Sequence, residues 1–184
     1  MKMKQSLLTV IFVALLPIAA FAGDDVNWNV STNPLGLIVG PNLRLEYKTG
    51  EHWTFGPSAS LIYVNVSDVK VNGFNFGVDA KYYFKQALME HGWWAGGGIS
   101  YGGLKAKYND KNNVENNADV RTASLKGLGG YQWFWGHFNL ALGAGVSLNY
   151  YSSREITDSS GNKVKDIPYV PVGLAADASI GWTF

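Results

Sequence analysis

The chain has no cysteine, only three histidines and no excess of charge, with 15 Lys and Arg against 14 Asp and Glu. Without Cys there is neither a disulfide scaffold nor a thiol to carry a lipoprotein anchor. The balanced charge leaves no basic field for nucleic acid. Past residue 22 no apolar run approaches the roughly 20 residues a membrane-crossing helix needs. Glycine and aromatic side chains are abundant: 22 Gly, and Phe, Trp and Tyr together at 14%.

The first 22 residues stand apart. Lys2 and Lys4 precede an apolar run from Leu7 to Ala20, and Ala20-Phe21-Ala22 is a small-x-small cleavage site. This is the pattern of a secretory signal peptide, so an exported domain over residues 23–184 is expected. Loss of Lys2 and Lys4 lowers the formal charge of +1 by two, to −1.

The remainder alternates. From Val170 the even positions are Val170, Val172, Leu174, Ala176, Ala178, Ile180, Trp182 and Phe184, while the odd ones are small or polar. Period-two patterning of this kind is a strand with one oily face. The same alternation recurs along the chain and predicts eight strands. The first covers 26–33, with Val26, Trp28, Val30 and Thr32 on the oily face. A tight loop within 33–41 leads to a second strand, with Leu43, Leu45 and Tyr47 opposite Asn42, Arg44, Glu46 and Lys48. The third starts at Trp53 and the fourth covers 74–85. The fifth runs over 93–108, the sixth over 120–135, the seventh over 138–151, and the eighth closes the chain. Short turns at 49–52, 85–92 and 136–137 alternate with loops at 33–41, 67–73, 109–119 and 155–166. The fold class expected is all-β, an eight-stranded antiparallel up-and-down transmembrane barrel.

Under this topology Trp28, Trp53, Trp93, Trp94, Trp133, Trp135 and Trp182 all fall at one end of the barrel, where indoles favour a membrane interface. Tyr63, Phe74, Tyr101 and Tyr150 would form the opposite girdle. The first loop, short and apolar, departs from what an external loop usually offers.

An eight-stranded barrel has room inside for side chains and little more. Arg44, Glu46, Asp79, Lys81, Lys126 and Asp177 are expected there as a cluster of both signs, with Lys48 and Gln132 beside them. The expectation is a paired polar plug, with a gated ion path as the alternative. Gly96, Gly98, Gly102, Gly130, Gly143 and Gly145 also face inward. They either make room for large side chains from the opposite wall or leave a small ligand cavity. No catalytic group is expected. His52, His91 and His137 all lie by the short turns, so Ser152, Ser153 and Glu155 at the other end have no base. No metal-ligand spacing or cofactor motif is present. Pro34 and Pro41 flank the first loop, and Pro168 and Pro171 start the last strand, which predicts a seam short of ladder donors.

The closing strand with Trp182 and Phe184 resembles the terminal strand of bacterial outer-membrane barrels, whose final Phe is read by the barrel-assembly machinery. Asn33-Pro34-Leu35-Gly36-Leu37, the strand ending Glu46-Tyr47 and the segment Phe76 to Phe84 (FGVDAKYYF) resemble an uncharacterised outer-membrane barrel family. More broadly the chain is similar to the OmpA-transmembrane and OmpX class. That resemblance implies an outer-membrane location with both termini periplasmic, in contact with lipid and lipopolysaccharide. It implies a structural, adhesive or surface-binding role through the loops, with a host or surface ligand as partner. The alternative it leaves is a barrel that handles lipid or small apolar molecules through a cavity or lateral opening, as a conduit or a lipid A-modifying enzyme.

Overall fold

The computed structural model describes residues 26–66, 69–109, 115–158, 163–166 and 171–184. The signal-peptide segment and Pro168 lie outside the described residues. Alternation becomes nine strands: β1 (Trp28–Thr32), β2 (Asn42–Lys48), β3 (Trp53–Val66), β4 (Val69–Tyr83), β5 (Gly92–Asn109), β6 (Glu115–Trp135), β7 (Phe138–Asp158), β8 (Lys163–Asp166) and β9 (Val172–Thr183). All pairings are antiparallel, each strand with its chain neighbour, and β9 pairs with both β7 and β1. Eight strands therefore close a barrel, and β8 is a short addition to the upper part of β7.

Closure is made at the chain's end. Trp28 and Phe184 exchange both backbone hydrogen bonds, each 2.9 Å. Phe184 itself is buried rather than presented on the outer face.

The wall is uneven in height. β1 has 5 residues and β2 has 7, whereas β6 and β7 have 21 each. Three expected loops are shorter than the sequence suggests. Val66 pairs with Val69, Asn109 with Glu115, and β7 continues to Asp158. Polar residues there continue the ladder; their side chains signal water on both faces, which composition alone reads as loop. The first loop falls at 33–41 as expected. It holds a single 3-10 turn at Gly36–Ile38, with Asn33 Oδ1 accepting the N–H of Gly36 at 3.0 Å. Gly40 is required because Leu61's carbonyl oxygen occupies the space a Cβ would need.

The oily faces point outward. Leu43, Phe55, Leu61, Phe76, Val78, Ile99, Leu125, Leu142, Val146 and Leu174 are all exposed. Glu46, Asp79, Lys81, Gln132, Asn139 and Asp177 are buried inside. The outer face changes character along each tall strand. On β5 it reads Trp93, Ala95, Gly97, Ile99, Tyr101 and Gly103, then Lys105 and Lys107. On β6 it reads Trp135, Trp133, Tyr131, Gly129, Gly127, Leu125 and Ala123, then Arg121 and Asp119. The apolar stretch on β5 matches the 9–11 residues of a tilted membrane strand.

Six of the seven Trp lie on this outer face at the turn end. Trp94 does not. It follows Trp93 in the same strand, so the pleat turns it inward, where it is buried.

Candidate functional site: the barrel interior

The interior is layered from the turn end upward. The lowest layer is apolar: Tyr83, Ala87, Leu88, Trp94 and Phe134, all buried, with Val26 and Leu128 packed against them. Ala87 and Leu88 come from the turn after β4, which folds into the barrel mouth. Ala87 N–H donates to Glu51 O at 2.7 Å, and Leu88 adopts φ 63°. A leucine in that left-handed region is costly. Full burial of its side chain offsets the cost.

Above the plug the polar groups join in one chain. Tyr83 Oη donates to Gln132 Oε1 at 2.8 Å, and Gln132 Nε2 to Asn139 Oδ1 at 3.0 Å. Asn139 Nδ2 donates to Asn29 Oδ1 at 2.8 Å, and Asn29 Nδ2 to Glu46 Oε2 at 2.7 Å. The charges follow. Glu46 Oε1 meets Lys81 Nζ at 2.6 Å, and Lys81 lies 3.9 Å from Asp177. Asp177 takes Arg44 Nη1 at 2.9 and 3.1 Å, Arg44 Nε faces Asp79 Oδ2 at 3.3 Å, and Asp79 Oδ1 meets Lys126 Nζ at 2.8 Å. Three cations and three carboxylates balance, so no net charge is buried. All six expected residues are brought together. Lys48 is not among them; it sits half-buried at the rim, 3.7 Å from Met89 Sδ.

The inward glycines make room for this filling. A Cβ on Gly130 or Gly143 would stand 2.7 or 2.6 Å from Trp94 Cζ2, and one on Gly96 would stand 3.1 Å from Lys81 Cγ. A Cβ on Gly98 would collide with Asp79 Oδ1. Lys81 Nζ in turn lies 4.8 Å over the Trp94 ring. The large side chains beside these glycines come from the neighbouring strands and not from the opposite wall: Lys81 pairs with Gly96, Asp79 with Gly98 and Trp94 with Gly130.

Over the charged layer lies a cavity of about 280 Å³. Arg44, Lys126 and Asp177 border it below. Ser31, Ser58, Ser60, Ser100, Ser179 and Asn75 surround it, and Asn33, Gly36, Val39 and Gly40 of the first loop flank it. The described contacts of Arg44 use Nε and Nη1. Ser31 Oγ is buried there without a hydrogen-bond partner.

The three histidines staple the turn end. His52 Nδ1 lies 3.0 Å from Tyr83 O and 3.1 Å from Lys85 O, so it carries the proton. His137 Nδ1 likewise faces Thr183 O at 2.7 Å, whereas His91 Nδ1 accepts the Phe134 N–H at 2.8 Å. His91 and His137 are exposed and His52 is half-buried, so these turn residues stay open to solvent while they satisfy backbone groups. Among the described residues no group of His, Asp and Glu could hold a metal ion. Ser152, Ser153 and Glu155 lie on the backbone of β7, their side chains outside the described residues.

Sequence reasoning missed Trp94, Tyr83, Asn29 and Asn139 as interior partners. The signal was present for Asn29, which alternates with Trp28 and Val30. It was also present for Trp94, since adjacent tryptophans in a strand cannot share a face. Comparison of the chain with protein-family models, curated proteins and solved structures finds no match.

Proposed function

We propose that this protein is an integral barrel of the bacterial outer membrane, without catalytic function, which anchors a polar β-sheet outside the cell. One observation carries the reading: the barrel is inside out relative to a water-soluble one. Its charges are buried in the lumen, and its large apolar side chains are exposed around the wall. A continuous apolar surface of that extent has no stable place in water. The belt is bounded below by Trp28, Trp53, Trp93, Trp133, Trp135 and Trp182, and above by the change to Lys105, Lys107, Asp119 and Arg121. The belt contacts outer-membrane lipid and lipopolysaccharide, and the terminal strand with Trp182 and Phe184 addresses the barrel-assembly machinery.

The apolar plug and the paired charged layer oppose free conduction. What rises above the belt is the polar end of β5 to β8, where Asp119 stands 3.7 Å from Lys105 and 3.6 Å from Arg121. This is the surface offered to an external ligand, and it supports the surface-binding role that the OmpA and OmpX class suggests. Single-Cys variants in whole cells test the reading, using a membrane-impermeant maleimide. Asn117→Cys is expected to label and Glu51→Cys to remain unlabelled until the cells are opened. Labelling of Glu51→Cys alone reverses the orientation, and equal labelling of both only after lysis removes the protein from the surface.

A further inference from the structure

The seam between β9 and β1 is closed over only part of its height. Hydrogen-bonded pairs recur every second residue from Trp28 and Phe184, through Val30 and Trp182, to Thr32 and Ile180. The next such pair would join residue 34 to Ala178, and residue 34 is proline, which has no N–H to give. The chain leaves the wall there and enters the first loop. By the same alternation the N–H and C=O groups of Ala178, Ala176, Leu174 and Val172 point into the opening. Among the described residues they have no backbone partner. On its other side β9 stays paired with β7 from Val172 to Trp182.

The opening lies at membrane depth. Val172 pairs with Leu148, one outward residue below Tyr150 of the upper girdle, and Trp182 belongs to the lower ring. The unpaired edge therefore spans the outer half of the apolar belt. Open backbone groups are tolerated at that depth only where they line a polar or water-filled space. Such a space is present, since the cavity of about 280 Å³ is bordered by Asp177 and Ser179 of β9 and by Asn33, Gly36, Val39 and Gly40 of the loop across from it.

The two surroundings of this opening differ in chemistry. Outside, Leu174 is 96% exposed and Ile38 is 80% exposed, and Leu35 in the loop and Leu43 in β2 are exposed as well. Inside are serine hydroxyls, the unpartnered Ser31 Oγ, Arg44 and Lys126. We infer that the opening is a binding site for an anionic membrane amphiphile, whose headgroup enters the cavity sideways while its acyl chain stays along the outer wall. The cavity is sized for a headgroup and not for a whole lipid. Arg44 and Lys126 border it beside the Asp177 carboxylate, and the N–H groups they do not use on Asp79 and Asp177, with the serines, suit a phosphate or carboxylate. The inference rests on the membrane reading for the source of the ligand, but not on the orientation of the barrel in the cell.

The barrel refolded in neutral detergent micelles tests this independently of cell labelling. Backbone amide NMR follows titration with dodecyl phosphate, with dodecanol and with inorganic phosphate. Expected is a saturable shift at Ser31, Ser58, Ser60, Arg44 and Ser179 with dodecyl phosphate, at least tenfold weaker with dodecanol and with inorganic phosphate. Ser60→Leu fills the cavity without touching the charged layer, and is expected to remove the shift while gel migration still reports a folded barrel. Ser58→Val is the second filling variant should Ser60→Leu not fold. Equal affinity for inorganic phosphate would make the cavity a plain anion pocket and overturn sideways entry. Shifts confined to the outer wall, or unchanged in the filled variants, would overturn the site. So would concentration-dependent pairing of the β9 edge with a second copy.

Discussion

Removing Asp177 should unbalance the whole interior. Its side chain is 3% exposed and accepts two bonds from Arg44, while Lys81 stands 3.9 Å away. In Asp177→Ala three interior cations, of which Lys81 is buried, face only Glu46 and Asp79. Breaking a buried pair from one side costs about 3–5 kcal/mol, because the remaining charge is left without its partner. Arg44 borders the cavity and keeps some contact with water, so the low end of that range applies. About 3 kcal/mol is roughly a hundredfold in the folding equilibrium. The control is Asp119→Ala, whose partners Lys105 and Arg121 lie on the polar upper sheet, Lys105 being 72% exposed. A pair of that kind contributes about 0–1 kcal/mol. Removing both charges in Arg44→Met with Asp177→Leu leaves Lys81 on Glu46 and Lys126 on Asp79, and should recover most of the loss. Urea unfolding of the barrel in lipid vesicles, followed by tryptophan fluorescence, measures all three. Were Asp177→Ala no less stable than Asp119→Ala, or the double variant as unstable as the single one, the paired layer would not be holding the barrel together.

Other outcomes follow from the same geometry. Gly143→Ala, which sets a methyl 2.6 Å from Trp94 Cζ2, should cost about 1–3 kcal/mol. Gly127→Ala, with nothing within 4 Å, should be neutral or slightly stabilising, and the two unfolding midpoints compare them directly. Hydrogen exchange along β9 should change between Ile180 and Ala178: the amides of Trp182 and Ile180 protected, those of Ala178, Ala176 and Leu174 fast, and the odd residues bonded to β7 slow throughout. Leu142→Arg, on the outer face of β7 near the middle of the belt, should cost about 2–4 kcal/mol in a bilayer. The heat-modifiable fraction on gels reads that loss.

Strand number, closure and the inward set Arg44, Glu46, Asp79, Lys81, Lys126 and Asp177 were legible because period-two alternation assigns each residue to a face before any contact is known. Pairwise partners were not, since alternation says nothing about which wall faces which. That Arg44 would reach Asp177, 133 positions away, depends on the barrel closing through β1 and β9. The upper ends of β6 and β7 were read as loops because Glu115 to Asp119 and Glu155 to Asp158 lack an oily face. A sheet with water on both sides has none to show. Trp94 was misplaced by counting tryptophans per strand end, where the pleat should have separated it from Trp93. The apolar plug was hidden for a different reason. Ala87 and Leu88 lie in a turn, and nothing local indicates that a turn folds back into the barrel mouth.

The uneven wall gives the two sides of the barrel different surroundings. On the tall side, β5 to β8 pass from Tyr101 and Ala123 into Lys105, Lys107, Asp119 and Arg121, so their upper ends are built for water. On the short side β1 stops at Thr32, and its height is taken over by a loop that turns Leu35 and Ile38 outward. A loop standing in water gains nothing by exposing those side chains; one lying against hydrocarbon does. In the proposed membrane setting, the residues that shorten the wall would also be those that keep it within the lipid. Pro34 ends the ladder, Asn42 ties the loop base by its bonds to Asn33 and Thr32, and Gly40 lets the loop lie close on β3. Under the proposed placement, external contacts belong to the upper ends of β5 to β8, while the seam lies at belt height directly beside β7. Substitutions in the polar sheet around Asp119 should leave amphiphile binding at the seam intact, and filling the cavity at Ser60 should leave the external surface unchanged.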